Sequence, residues 1–533
     1  MSGILLRGAL ILDGSGSPGV IGDVLIENGR IAGVGGRIHA GDARIVAAEG
    51  LAVAPGFIDM HAHSDLAVLT DPEHRAKTTQ GVTTEVLGQD GLSYAPATER
   101  TRGILREQLA GWNGLPSGSD VGWRRVADYL DELDRHPLAV NAAYLLPHGT
   151  IRMKVIGTED RPPTAEELET MRTEVDRGMR DGAFGLSAGL SYVPGMFAST
   201  DELVALCAVV ARHGGFFAPH QRSYGAGALD GYAEMIDIAA RSGSALHLTH
   251  ATMNFDVNRG RAGELLDLVD RAVAAGVDVT LDSYPYLPGS TTLAALLPSW
   301  VQTDGPEATL QRLRDREVRV RIAHELDTTG SDGSHGVPVD WAAVQVAGVR
   351  DGSLADRVGR TIADLARDAG LPPAEVYLDL LERDRLGTTI LHHVGDEQNV
   401  RAVMRHSRHS AGSDGILVGD RPHPRAWGTF PRYLGRYVRE EGVLTLEEAI
   451  VHLSARPARR LGLEDRGRIA RGFVADLVLF DPDRVADAAT FDDPRRPAEG
   501  IPWVLVSGEP VIEDGERTLA TPGRALRRGA GRC

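Results

Sequence analysis

The chain has 533 residues, 42% hydrophobic and 25% charged, the balance of an ordinary globular protein with room for one large domain and a smaller one. Its formal charge of −17, from 74 acidic and 57 basic residues, disfavours nucleic acid and anionic membrane surfaces as partners. No apolar run approaches the ~18 residues of a membrane span, and the start, Met1 to Gly8, lacks the apolar core of a secretory signal.

Two cysteines, Cys207 and Cys533, imply no disulfide framework, so a reducing compartment, the cytoplasm, is the expected setting. Lysine occurs only at Lys77 and Lys154, and neither is expected at a strand end that feeds a cleft. A short basic tail, Arg524 to Arg532, reads as a solvated terminus.

In chain order, residues 3 to 54 read as short strands between glycine turns: Ile4 to Leu12, Val24 to Glu27, Arg30 to Val34 and Arg44 to Val53. Residues 467 to 515 have the same texture, with Ala475 to Phe480 and Trp503 to Ser507 as apolar strands. The two ends are expected to pair into one small β-sandwich, from residues 1–54 and 466–533.

Between them, apolar strands alternate with helical segments. The strands begin with residues 55 to 63 and continue at Val82 to Asp90, Val140 to His148, Ala183 to Tyr192, Gly215 to Arg222, Ala245 to Ala251, Val277 to Tyr286 and Ser410 to Leu417. Thr164 with Glu167, and Thr445 with Glu448, form capping boxes at helix starts. Eight strands are the number that closes a (β/α)₈ barrel, expected over residues 55–465; an open doubly wound sheet is the structural alternative. Residues 289 to 370 fit the repeat badly and read as an insertion, partly helical, over the site.

Barrel chemistry sits at the C-terminal strand ends. Those ends carry His61, His63, Asp90, His148, His220 with Arg222, His250 and Asp414. His61 and His63 are two apart on a strand, so they face the same way and can grip one metal ion. His250 shares parity with Leu246 and Leu248, whereas His247 faces oppositely and reads as structural. Arg222 shares a face with His220, where a guanidinium would either hold a substrate carboxylate or pair with a neighbouring acid. Asp414, followed by Gly415, can ligate a metal and accept the proton of a bound water.

Several stretches resemble the amidohydrolase superfamily and, within it, the N-acyl-D-amino-acid deacylases, also called D-aminoacylases. They are PGFIDMHAHSD (55 to 65), GVTTEVLGQDGLSYAP (81 to 96), PHGTIR (147 to 152), GLSAGLSYVPGMFAS (185 to 199), HQR (220 to 222), LTH (248 to 250), YPY (284 to 286), SDG…HPRAWGTFPRYLG (413 to 435) and ADLVLFDP (475 to 482). The resemblance implies a metal-dependent barrel that cleaves linear amides of N-acyl-D-amino acids. Its zinc would be held tightly by Asp90, His220 and His250, with a weaker second site at His61, His63 and Asp414. Asp90 stands where the relatives most like this chain have cysteine; a carboxylate still bridges two metals but opens the site to manganese or cobalt. Thr252 stands where some members place a lysine near the substrate.

The resemblance further implies Asp414 as the catalytic acid–base, and Arg425 with Arg222 as a clamp on the substrate's α-carboxylate. Tyr192 is the candidate for the oxyanion, Ser290 for the substrate, and His148 for orienting a ligand or the substrate. Hydantoinase-type relatives bridge their metals with a carbamylated lysine on strand four, and none stands between Ala183 and Tyr192. The competing activities are another amide hydrolysis, on a cyclic amide, an N-carbamoyl amino acid or a D-dipeptide. A different class of reading is a non-catalytic barrel that only binds a ligand. Oligomeric state is not readable from the sequence.

Overall fold

The computed structural model describes residues 3–114 and 122–529; Met1, Ser2, Cys533 and the last residues of the basic tail lie outside the described residues. Eight parallel strands form the central ring. They are β1 (Phe57–Asp59), β2 (Val82–Leu87), β3 (Asn141–Tyr144, continuing as Leu146–Pro147), β4 (Gly185–Gly189), β5 (Phe216–His220), β6 (Ala245–Leu248), β7 (Val279–Ser283) and β8 (His409–Ala411). All their residues except Ala245 are buried, as expected of parallel strands covered on both faces.

Pairing runs β1–β2–β3 on one arc and β3–β4–β5–β6–β7–β8 on the other. The ring closes where Met60 N–H donates to the Ala411 carbonyl at 3.2 Å and Ala62 bridges in parallel to Gly415. The fold is therefore an α/β barrel.

Helices return the chain between strands. Ala165–Asp181 begins at the Thr164–Glu167 capping box, with both reciprocal bonds formed, and ends at left-handed Gly182. Glycine tolerates that conformation without steric cost.

Both chain ends contribute to one nine-stranded sheet. Its order is Glu516–Arg517, Glu509–Glu513, Trp503–Val506, Leu477–Phe480, Ala52–Pro55, Ile4–Ile11, Val20–Glu27 and Arg30–Gly35, with Arg44–Ala47 beside Ile4–Ile11. Alternation sorts its side chains. Leu477, Leu479, Trp503 and Leu505 pack with Leu6, Ile11 and Val24, whereas Val478, Phe480, Val504 and Val506 pack against Phe430, Tyr433 and Tyr437 from the barrel's last helices. Ala52–Pro55 runs through Gly56 directly into β1, so the sheet anchors the strand that carries His61.

Between β7 and β8 a three-stranded antiparallel sheet, Gly289–Thr292, Thr389–His392 and Val344–Gly348, is backed by short helices. Leu293, Leu297, Val344, Val346, Ile362, Leu378 and Ile390 give it a core of its own. The insertion is a packed unit, and it continues past the expected end at 370 to His392. The basic tail also differs from expectation. Leu526 is buried and its N–H donates to Ala142 at 2.8 Å, while Arg527 pairs with Asp131 and Asp134 at 2.8 and 2.6 Å.

Candidate metal centre

At the C-terminal mouth of the barrel, His61, His63, Asp90 and Asp414 place ligand atoms within 4.8 Å of one another, and Asp90, His220 and His250 do the same. Asp90 belongs to both groups. Its Oδ1 lies 3.5 Å from His61 Nε2 and 3.6 Å from His250 Nε2; its Oδ2 lies 3.6 Å from His63 Nε2 and 3.5 Å from His220 Nδ1. Each carboxylate oxygen thus faces one imidazole of each group, the arrangement of a bridging ligand.

Local backbone puts these side chains where they are. Asp90, His250 and Asp414 all take left-handed φ, at 53°, 31° and 48°. For residues other than glycine this conformation costs energy and is retained where surroundings enforce it, commonly at functional sites. Gly91 and Gly189 allow the Asp90 turn to lie on the end of β4, since a Cβ on Gly91 would come within 2.5 Å of Gly189 N.

The imidazoles are oriented from behind. His220 Nε2 is 2.6 Å from Ser191 Oγ, and His250 Nδ1 is 3.0 Å from Tyr224 OH, which also accepts the Gln221 N–H at 3.1 Å. The His250 N–H donates to Asp282 Oδ1 at 2.7 Å, while His247 lies 2.9 Å from Asp282 Oδ2. Such outer contacts fix tautomer and ring direction at metal sites.

The donor set fits a metal. Both ring nitrogens of His61 and Oδ1 of Asp90 are buried without a hydrogen-bond partner, a costly state that coordination relieves. Imidazole and carboxylate donors suit zinc, and also manganese or cobalt.

Electrostatics of the cluster's own side chains follow from burial and charge. Burial lowers the His61 pKa to about 4, against the pull of Asp90 and Asp414. At His63 burial also acts downward, but hydrogen bonds and charge from Asp414 and Asp90 win, raising it to about 9. Burial pushes Asp90 upward, yet the surrounding imidazoles hold it well below the usual carboxylate range. Asp414 is opposed by burial in the same way and held low by Arg425, whose Nη2 is 2.9 Å from its Oδ2.

A cavity of about 90 Å³ opens onto this cluster, lined among others by Tyr192, Thr252, Asn254, Ser290, Asp90 and Asp414. Tyr192 OH is 3.1 Å from Thr291 Oγ1. The insertion contributes His335 and His392 to the cavity wall, beside Phe255.

Two expected substrate contacts are placed differently. Arg222 donates twice to Glu234, at 2.7 and 3.1 Å, and to the carbonyls of Met196 and Ala198, at 3.2 and 2.6 Å, so its guanidinium is committed to the protein. His148 is fully buried, 2.9 Å from Glu202, which Arg152 also engages. Parity for Arg222 and a strand-end position for His148 could not show that an acid already waited beside each. Arg425 is fully buried on Asp414 and over the Tyr284 ring at 4.3 Å, with Nε and Nη1 unpartnered.

Sequence reasoning missed Ser191, Tyr224, His335 and His392. Ser191 lies inside the stretch at 185 to 199 and Tyr224 two residues past HQR, but a serine or tyrosine in such a place is too generic a signal to single out. Lys77, not expected at a strand end, indeed lies in a short helix, but it is buried against Asp59 and Ser413, two residues before His61 and one before Asp414.

Residues 44–512 match the Amidohydrolase family. The chain is 34% identical to a D-aminoacylase of Alcaligenes xylosoxydans xylosoxydans over 99% of its length and 98% of the relative's. It is 35% identical to an N-acyl-D-glutamate deacylase of the same organism over 99% and 97%. Among solved structures, the N-acyl-D-glutamate deacylase of Bordetella bronchiseptica, complexed with zinc and a phosphonate mimic of the tetrahedral intermediate, superposes with a TM-score of 0.83 at 33% identity, covering 98% of this chain and 99% of that one. No helix among the described residues is long and apolar enough to cross a membrane.

Proposed function

The chain belongs to the amidohydrolase family, and from that premise we propose that it hydrolyses the linear amide of N-acyl-D-amino acids, releasing a carboxylate and a free D-amino acid. The observation that carries this reading is the double cluster bridged by Asp90, with Asp414 at its edge. Asp90, His220 and His250 would hold one ion, the tighter by resemblance to the family, and His61, His63 and Asp414 would complete a second position. A metal bound there supplies Lewis-acid polarisation of the acyl carbonyl and acidifies water.

The protein's own groups do the rest. Asp414 takes the proton from the attacking water and returns it to the leaving amine, its carboxylate held in orientation by Arg425. Tyr192 stays protonated, because burial, followed by the Asp90 charge, raises its pKa; its hydroxyl can therefore donate to the oxyanion. Thr252, Asn254 and Ser290 receive the rest of the substrate, and the α-carboxylate lies on the side of the Arg425 charge.

A cyclic-amide reading is disfavoured by the lysines. Lys154 pairs with Glu174 at 2.7 Å and Lys77 with Asp59 at 2.6 Å, so none stands on β4 to be carbamylated. The proposed setting is the cytoplasm, and the partner a small molecule bearing an α-carboxylate. The test is release of amine from N-acetyl-D-amino acids by metal-loaded protein, with hydantoins and N-carbamoyl-D-amino acids in parallel. Turnover of the cyclic or carbamoyl compounds alone would overturn the proposal.

A further inference from the structure

Lys77 lies in the short helix Arg75–Thr78 behind β1, with no exposed surface. Its ammonium donates to Asp59 Oδ2 at 2.6 Å and to Ser413 Oγ at 3.0 Å. Glu85 is 3.9 Å away and is itself 2.9 Å from His74. Asp59 and Ser413 are joined twice more: Ser413 N–H donates to Asp59 Oδ1 at 2.8 Å, and Ser413 Oγ–H to Asp59 Oδ2 at 2.5 Å.

This network spans the seam where the barrel closes. Asp59 ends β1 and its Oδ1 accepts the His61 N–H at 3.2 Å; across the seam, Asp414 N–H donates to the His61 carbonyl at 2.8 Å and Gly415 N–H to Ser413 Oγ at 3.1 Å. β1 and β8 are three residues each, and Asp414 turns left-handed three residues past the end of β8. Regular strand pairing therefore stops short of the side chains that must be held. The ion pair and its hydroxyl take over at that point, one or two residues behind His61 and Asp414.

The other half of the centre has a different support. His220 and His250 are held by Ser191 and Tyr224, and none of the seam groups touches them in a hydrogen bond. We propose that Lys77, acting through Asp59 and Ser413, is the positioning element that sets His61, His63 and Asp414 for metal. It tunes that half of the centre without tuning the Asp90, His220 and His250 half. The inference rests on the reading of the cluster as a two-site metal centre.

Zinc titration of the metal-free full-length protein tests it, with His61→Asn as the reference that identifies which binding step belongs to the seam half. Lys77→Met and Ser413→Ala are expected to weaken that step about tenfold or more, the usual cost of losing an outer-shell partner, while the other step stays within about threefold. Equal weakening of both steps, as general softening of the fold would give, overturns the proposal, and so does no change in either. If Lys77→Met fails to fold, Ser413→Ala removes one hydroxyl, leaves the ion pair and decides the question alone. Failure of the unaltered protein to take up zinc at two steps would instead overturn the two-site reading.

Discussion

In the proposed mechanism Asp414 must bind metal, accept a proton and stay put. Its left-handed backbone, the Arg425 contact on Oδ2 and the Asp414 N–H bond to His61 meet the last demand. Asp414→Asn is therefore expected to lower kcat by about 10²–10⁴, the usual worth of general acid–base catalysis, while zinc at the Asp90, His220 and His250 half persists. Near-normal turnover would remove its assigned role.

His63 gives a second residue-scale prediction. With its pKa raised to about 9 in the metal-free protein by Asp414 and Asp90 against burial, it carries a proton at neutral pH that metal must displace. Zinc affinity of that half should fall about tenfold for each pH unit below 9, and a titration series showing no pH dependence would contradict this. The sign for stability is opposite. The proton stabilises the metal-free fold fully below the ordinary value of 6.5, and that contribution is lost as pH rises through about 9.

At the scale of elements, the centre is a set of strand ends. Strand parity and apolar runs were enough to place His61, His63, Asp90, His220, His250 and Asp414 at one mouth, because side-chain alternation is dictated by backbone geometry. They were not enough for Arg222 and His148, whose partners Glu234 and Glu202 come from neighbouring helices. Nor could they give Lys77, whose hydrogen-bond partner Ser413 lies 336 residues away. His335 and His392 were out of reach because they lie in the insertion, where the β/α repeat breaks off.

The glycine pair under Asp90 makes an element-scale prediction. Gly91 has φ +70° and no room for a Cβ against Gly189 N. Gly91→Ala should strain the turn by about 1–3 kcal/mol and displace the bridging carboxylate. Thermal melts and zinc uptake should both register the change, and an unchanged pair of values would show that the turn relaxes freely.

At the scale of the molecule, the nine-stranded sheet, the barrel and the insertion each have a core, and the first two share Phe430, Tyr433 and Tyr437. The sheet feeds β1, the insertion covers the cavity, and a metal held by the two clusters would tie β1, β2, β5, β6 and the turn after β8 together. Ligands that bind only the native state stabilise it by mass action, about 2.7 kcal/mol at a hundredfold excess over Kd. Chelation should accordingly lower the melting temperature, with zinc restoring it; a melt indifferent to chelator would contradict the tie.

The central claim is metal-dependent hydrolysis of N-acyl-D-amino acids at the Asp90-bridged centre. The direct measurement is kcat/KM for D and L enantiomers of a panel of N-acetyl amino acids, with chelated protein and again after reloading with zinc. The account predicts amine release from D enantiomers that disappears on chelation and returns with zinc, and little from L. Undiminished turnover by chelated protein, or a preference for the L series, would contradict it.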